Sequence, residues 1–291
     1  MKYLYSYVPF EHNYFLETYK FDEHFINLCK LSISQIKNYK NIIFYTIEEL
    51  IPFFYENVSR NITYKKIDCH SNFFWAKSKY LSIVEEIKND DEPLIHLDLD
   101  IVFNNKNIFN KEISDLCLSH GEPHNAKGEK VLFEKRIPSS YILDFYDLTF
   151  NFLKNENFPN DILKINIDYS YNTSIFGGKN IFLIKQICDK ILNFENLYNQ
   201  LFSNLIKKIN ISNQNQNTLL FGSVMEQSLM AYIIKNLNIE PEFYDINGKQ
   251  NYLHFVGNKK NSNLFKQKLK YFCDNLLNND VNIKEYFHGC Y

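Results

Sequence analysis

The sequence predicts an α/β fold organised around a mostly parallel, doubly wound sheet. Two observations carry that expectation. Short apolar, β-favouring runs at 3–8, 42–46, 62–67 and 94–97 alternate with segments whose apolar residues recur at helical spacing, and strands separated by helices pair in parallel. No internal repeat and no Pro/Gly/Ser-rich linker divides the 291 residues, so the chain reads as one continuous domain whose second half adds strands of mixed direction.

Each element has its own signal. After the strand at 3–8, Phe21, Phe25, Leu28 and Leu31 share one helix face by their three- and four-residue spacing. Residues 48–58 read as a helix, with Pro52 tolerable in its first turn. Residues 75–87 form a second amphipathic helix before the strand at 94–97, which runs into His96-Leu97-Asp98-Leu99-Asp100. The second half changes texture. Residues 115–131 hold His120, Gly121, Pro123, His124 and Gly128 and read as turn-rich. Helical patterns are expected at 141–153, 180–202, 225–237 and 263–277, an extended segment at 169–176, and short strands near Glu242 and Tyr252. The polar Asn/Gln stretch at 212–217 is expected to be a mobile loop.

Composition excludes several classes. With 45% hydrophobic and 23% charged residues the chain is globular, not disordered or fibrous. A net charge of −2 argues against broad phosphate neutralisation, so no nucleic-acid partner is expected. The 32 basic residues are lysines apart from Arg60 and Arg136, which with the abundance of Asn reads as the codon bias of an AT-rich genome. Six cysteines lack a CxxC or zinc-finger spacing and are expected to be reduced. The first fifteen or so residues show no apolar core of a signal peptide, and no apolar run approaches the ~18 residues of a membrane span. A cytoplasmic location is expected, with at most a weak peripheral contact of the Lys-rich segment 259–270 at the inner face of an anionic membrane, a solvated helix face being the plainer reading.

Four motifs could carry chemistry. Asp98-Leu99-Asp100 follows an apolar strand; in an extended segment its two carboxylates would lie on one side roughly 6.5–7 Å apart, able to hold a divalent ion and leave positions for phosphate oxygens. Such a triplet is also expected about once by chance in a chain of this composition. Asn172 precedes Phe176-Gly177-Gly178, where paired glycines permit close backbone approach or a sharp turn into a helix. Glu226-Gln227 would present a carboxylate and an amide at a helix start, although Ser223 and Glu226 also form a capping box. Finally, in the run from Tyr252 to Lys260, His254 is a candidate third metal ligand. There Gly257 would free backbone N–H groups for a diphosphate and Lys260 would supply a point charge.

In this order the motifs resemble the metal-dependent GT-A glycosyltransferases, above all glycogenin-like and lipooligosaccharide galactosyltransferase-like enzymes. Phe74-Trp75-Ala76-Lys77-Ser78-Lys79, the run from Pro93 to Asp100, that from Tyr171 to Gly178 and that from Tyr252 to Lys260 are similar to an uncharacterised bacterial family of glycosyltransferase-like proteins. The chain departs from the glycogenin-like pattern at Ser228, where an acidic residue follows the Gln, and at Asn261-Ser262 in place of Pro-Trp.

The resemblance implies a single GT-A-like, Rossmann-like domain, with residues 1–104 handling the nucleotide and 105–291 the acceptor and catalysis. It implies Asp98, Asp100 and His254 as ligands of Mn2+ (or Mg2+), with Asp98 bridging to the donor diphosphate. Gly257 and Lys260 would meet the diphosphate, Lys77 the ribose or phosphates, and Tyr7 and Thr46 the base. Asn172, Gly177 and Gly178 would line the sugar or acceptor pocket, with Glu226 and Gln227 beneath the anomeric carbon. The implied donor is a nucleoside diphosphate sugar, a UDP-sugar first; the implied acceptor is an oligosaccharide or glycolipid of a bacterial surface polysaccharide. His120, Glu122 and His124 could touch that acceptor. If the reaction inverts, Glu226 is the general base; if it retains, Glu226 or Gln227 stabilises oxocarbenium-like charge. Rival readings are a protein-modifying glycosyltransferase, a nucleotidyltransferase and a non-catalytic sugar-nucleotide-binding module. The absence of glycine from Val8-Pro9-Phe10-Glu11 counts against the nucleotidyltransferase.

Overall fold

A computed structural model of the chain describes residues 1–9, 23–36, 41–69, 74, 76–88, 91–103, 113–123, 169–208, 226, 229–243, 252–254, 262–279 and 281–290. In chain order the elements are β1 (Lys2–Tyr7), α1 (Glu23–Ser34), β2 (Ile42–Thr46), a 3₁₀ turn (Glu48–Leu50) leading into α2 (Ile51–Asn57), β3 (Thr63–Lys66), α3 (Lys77–Ile87), β4 (Leu94–Leu97) and β5 (Ile101–Phe103). Then come β6 (Cys117–Pro123), β7 (Tyr169–Gly178), α4 (Ile181–Lys208), α5 (Leu229–Asn236), β8 (Glu242–Phe243), β9 (Tyr252–His254), α6 (Asn263–Asn275) and α7 (Ile283–Tyr286).

Among the described residues one sheet has the strand order β3-β2-β1-β4-β7-β6-β8, and β5 and β9 form a separate antiparallel pair. β1 through β4 are mutually parallel, β7 runs against both β4 and β6, and β8 returns parallel to β6. The fold is therefore α/β with a mixed, mostly parallel sheet, as the alternation of strand and helix patterns predicts. The order reverses between β1 and β4: the chain winds outward through β2 and β3, then crosses back to the other side of β1. In such sheets ligands bind beyond the carboxyl ends of the strands at the point of reversal.

Period-two alternation distributes the core. Leu4, Ile43, Leu94 and Phe176 face a layer made by α3, α4 and α5. Their neighbours Tyr3, Tyr5, Ile42, Phe44, Ile95, Leu97 and Ile175 face α1, α2 and the β5–β9 pair. A third cluster joins Leu28 and Leu31 of α1 and Val102 and Leu253 of the small pair to Phe265, Leu269 and Phe272 of α6. No described helix is long and apolar enough to cross a membrane, and no disulfide joins the described cysteines.

The expected strands and helices fall close to their predicted places wherever residues are described, with three differences. Residues 117–123, read as turn-rich, form a strand. Its first residues pair with strands on both sides, but His120 through Pro123 pair with β7 alone among the described residues; an edge tolerates the glycine and proline that a central strand would not. The strand Ile101–Phe103 is three residues long and too short to give a periodic signal. The short helix α7 begins at Asn282, whose side chain accepts from the Glu285 N–H at 3.2 Å. The helix expected at 141–153 and the loop expected at 212–217 lie outside the described residues.

α3 runs back along the sheet and is fixed near both ends by buried ions. Near its C-terminus Glu86 is 2% exposed and accepts from Lys2 Nζ, Lys65 Nζ and the Tyr45 hydroxyl, each at 2.6 Å. Burial alone would push this carboxyl up, but the three donors together hold it below its ordinary value. Replacing Glu86 by Gln removes the buried charge that Lys2, Lys65 and Tyr45 address and is expected to cost about 3 kcal/mol at neutral pH, read as a lower urea midpoint. Because the folded-state value is depressed, the Glu86 contribution is present above the ordinary carboxylate range and is lost as pH falls through that folded value. The gap between wild type and Glu86→Gln should therefore close in acid.

Candidate active site

The carboxyl edge of the sheet at the strand reversal is where the charged side chains converge. Alternation along β4 places Leu94 and His96 on the α3 side, and Asp98, the next residue in that series, meets α3 as well. Lys79, on the first turn of α3, is 3% exposed. Its ammonium lies 3.0 Å from Asp98 Oδ1 and 2.5 Å from Glu226 Oε1, and it donates to the Thr173 carbonyl at 2.9 Å and to Thr173 Oγ1 at 3.2 Å. The Thr173 hydroxyl in turn donates to Glu226 Oε1. Burial alone would lower the Lys79 value, but the charges of Asp98 and Glu226 more than reverse this and hold it above the ordinary lysine range. The result is a buried cation compensated by two carboxylates from distant parts of the chain.

The Asp98 end of this cluster is open to solvent, with a side-chain exposure of 30% against 4% for Lys79 and 8% for Glu226. The Asp98 N–H continues the sheet by donating to Ser174 O at 2.9 Å, while its carbonyl accepts from the Ile101 N–H at 3.2 Å. Residues 98–101 thus form a turn, so the expectation of two carboxylates side by side on an extended strand is overturned. Asp98 meets Lys79, and the charge of Asp100 adds to burial in pushing the Cys29 thiol of α1 up. His254 returns to the same place through the small sheet, its Cα in register with Ile101. Among the described residues no three His, Cys, Asp or Glu side chains are gathered closely enough to hold a metal ion.

Behind Asp98 lies a polar chain. His96, 1% exposed, has Nε2 2.9 Å from Ser6 Oγ, which is 3.3 Å from Ser78 Oγ. Burial and the charge of Lys79 together keep the imidazole well below its ordinary value.

The other residues singled out in the sequence divide between this site and elsewhere. Tyr7, at the end of β1, packs its ring 5.1 Å from Phe25 and 5.7 Å from Phe54. Thr46, ending β2, is fully buried, and its Oγ1 has no hydrogen-bond partner among the described residues. Lys77 pairs at 2.8 Å with Glu195, a fully buried residue of α4. Asn172, in β7 near the cluster, accepts at Oδ1 from the Ser174 N–H at 3.0 Å and from the Ser174 hydroxyl. Gly177 and Gly178 stand at the opposite edge, in register with Ile95 and Leu94 at the start of β4. A Cβ on Gly177 would lie 2.2 Å from Leu94 O, and one on Gly178 would lie 2.2 Å from Asp115 O. The close backbone approach expected of this pair therefore serves the seam between β4, β7 and the start of β6. Gln227, Gly257 and Lys260 lie outside the described residues, as does His124; His120 and Glu122 are described only as positions on β6.

Lys79, Thr173 and His96 are functional candidates that motif reading did not single out. Lys79 was visible only as the second lysine of Lys77-Ser78-Lys79. Two positions apart on a helix face roughly opposite ways, so one lysine could reach α4 and the other the sheet, but the partners that decide which is which lie 94 and 147 residues away.

No family model and no curated protein matches the chain. Among solved structures it is similar to mouse xyloside xylosyltransferase 1 in its apo form, at a TM-score of 0.33 and 11% identity, covering 66% of this chain and 71% of that one. It is similar to the galactosyltransferase LgtC in complex with donor and acceptor sugar analogues, at a TM-score of 0.36 and 12% identity, covering 78% and 71%. It is also similar to the apo-form glycosyltransferase GlyE of Streptococcus pneumoniae TIGR4, at a TM-score of 0.38 and 11% identity, covering 94% of this chain and 59% of that one. All three are glycosyltransferases by name. The chain spans about three-fifths of the length of the last.

Lys79→Met leaves two carboxylates facing an apolar side chain and should destabilise the fold by about 3 kcal/mol or more. Adding Glu226→Gln should recover part of that loss in a double-mutant cycle read by urea unfolding. Gly177→Ala should cost about 2 kcal/mol or more through the clash with the β4 backbone, read the same way.

Proposed function

We propose that this chain is a glycosyltransferase that moves a sugar from a nucleoside diphosphate sugar, a UDP-sugar first, to a hydroxyl of an oligosaccharide or glycolipid acceptor. The observation that carries the reading is the convergence of Asp98 and Glu226 on Lys79 at the carboxyl edge of the sheet, beside the strand reversal. The ordered likeness of the motifs around Asp98, Asn172, Glu226 and His254 to GT-A enzymes supports the same reading.

The donor chemistry of Asp98, Asp100 and His254 fits a hard or borderline divalent cation such as Mn2+ or Mg2+. When bound, such a cation neutralises charge on a leaving diphosphate. The chain's own residues divide the remaining work. Asp98, the most exposed member of the cluster, faces the donor. Lys79 offsets one of the two negative charges of Asp98 and Glu226, so the cluster stays net negative, the sign that receives a cation. Thr173 and Lys79 both address Oε1 of Glu226 and so fix the orientation of the carboxylate that would lie beneath the sugar. That carboxylate serves either as the base for the acceptor hydroxyl or as a counter-charge to the oxocarbenium-like transition state.

A thermal-shift screen of nucleotide sugars with and without Mn2+ tests the reading. A stabilising donor whose effect requires the metal is expected, and it would name both base and sugar. Asp98→Asn should lower transfer or donor hydrolysis by at least about a hundredfold. A fully active, chelator-insensitive Asp98→Asn protein would remove the metal assignment, and release of pyrophosphate in place of a nucleoside diphosphate would point to nucleotidyl transfer.

A further inference from the structure

We propose that His96 is a positioning residue for Asp98, donating from Nδ1–H to Asp98 Oδ1 while its Nε2 accepts from the Ser6 hydroxyl. The inference rests on the reading of Asp98 as the residue that faces the donor and its metal. Its starting point is an orphan: His96 Nδ1 is buried and has no hydrogen-bond partner among the described residues. Buried polar atoms without partners are rare in native cores, and each calls for a reason. An apolar side chain at this place on β4 would leave nothing unpaired, as Leu94 on the same face shows.

The surroundings select one tautomer. Nδ1 lies 4.0 Å from Asp98 Oδ1, the oxygen that Lys79 also holds at 3.0 Å. A lone pair on Nδ1 would face a carboxylate and be repelled, whereas an N–H would be attracted. With the proton on Nδ1, Nε2 becomes an acceptor and is matched by Ser6 Oγ at 2.9 Å, whose own oxygen can accept from Ser78 Oγ at 3.3 Å. The hydroxyls and the imidazole then point one way, from α3 through β1 and β4 towards Asp98. A shift of about 1 Å in Asp98 brings the last contact into hydrogen-bond range. Asp98 would then be held from two sides, by the Lys79 ammonium and by the neutral His96 ring, so its carboxylate would stay oriented if a divalent cation were bound. A ligating carboxylate held by outer hydrogen bonds binds metal more tightly than a free one.

The test reads the tautomer first, on the metal-free full chain. Long-range 1H–15N correlation spectra of the imidazoles, with His96 assigned by its change in Ser6→Ala, should show the proton on Nδ1 in wild type and a shift toward Nε2–H in Asp98→Ala. A wild-type ring protonated on Nε2 overturns the proposal. Calorimetric titration with Mn2+ is the second arm: His96→Gln is expected to bind about tenfold more weakly than wild type at similar thermal stability. An unchanged Mn2+ affinity in folded His96→Gln also overturns the positioning role. If His96→Gln does not fold, the tautomer decides alone. If wild type binds no Mn2+, the metal reading falls, while the tautomer still decides whether His96 holds Asp98.

Discussion

The structure at the carboxyl edge depends on one buried cation. Lys79 brings its charge to a place that is 3% exposed, and an unpaired ammonium there would be intolerable. It is tolerable because β4 delivers Asp98, β7 delivers Thr173, and Glu226 arrives from much later in the chain. Each partner answers a different need: the carboxylates supply charge, and Thr173 occupies further donor positions of the ammonium. The cluster therefore ties together segments that share no local sequence signal, and it is assembled only when the sheet has closed through β7.

The same helix carries the opposite arrangement at its other end. In α3, lysines occupy the first turn and glutamates the last, with no acidic residue in the first turn and no basic residue in the last. This is contrary to the preference set by the helix dipole, which favours anions at the N-terminus and cations at the C-terminus. The helix is thus disfavoured by its own charges and is held by partners from elsewhere: Glu195 for Lys77, Asp98 and Glu226 for Lys79, and Lys2 and Lys65 for Glu86. Ion pairs of this kind add little net stability over an apolar core but are costly to break singly. They fix which way α3 lies and how far along the sheet it sits, and hence the place of Lys79.

How much of this was legible in the sequence follows from the range of the interactions. Strands such as Ile42–Thr46 and helices such as Lys77–Ile87 declare themselves through local periodicity, and the α/β class follows from their alternation. β6 did not, because Gly121 and Pro123 mimic a turn, although among the described residues they pair with β7 alone. In the site, Asp98 and Glu226 were legible as carboxylates beside structural breaks. Lys79 was not, because nothing within ten residues of it states that its partners will be acidic. The geometry of Asp98-Leu99-Asp100 is hidden for a related reason: the strand ends at Leu97, and a turn that closes on Ile101 leaves no mark in an apolar-polar pattern.

The glycine pair shows how a motif can be specific and still belong to another part of the fold. Gly177 and Gly178 look like a place where backbone nears a ligand, and backbone does come near, but it is that of Leu94 and Asp115. Among the described residues β7 is the one strand in the seven-stranded sheet that runs against both its neighbours, and its glycine end and its middle do different work. At its glycine end it lets the strands close tightly where β4 begins. Midway along it the same strand offers Thr173 to Lys79 and Glu226, and the Ser174 carbonyl to the Asp98 N–H. A tight seam at one edge thus sets the register that puts Ser174 opposite Asp98 at the other. The glycines contribute to the site through that register, from the far edge of the sheet.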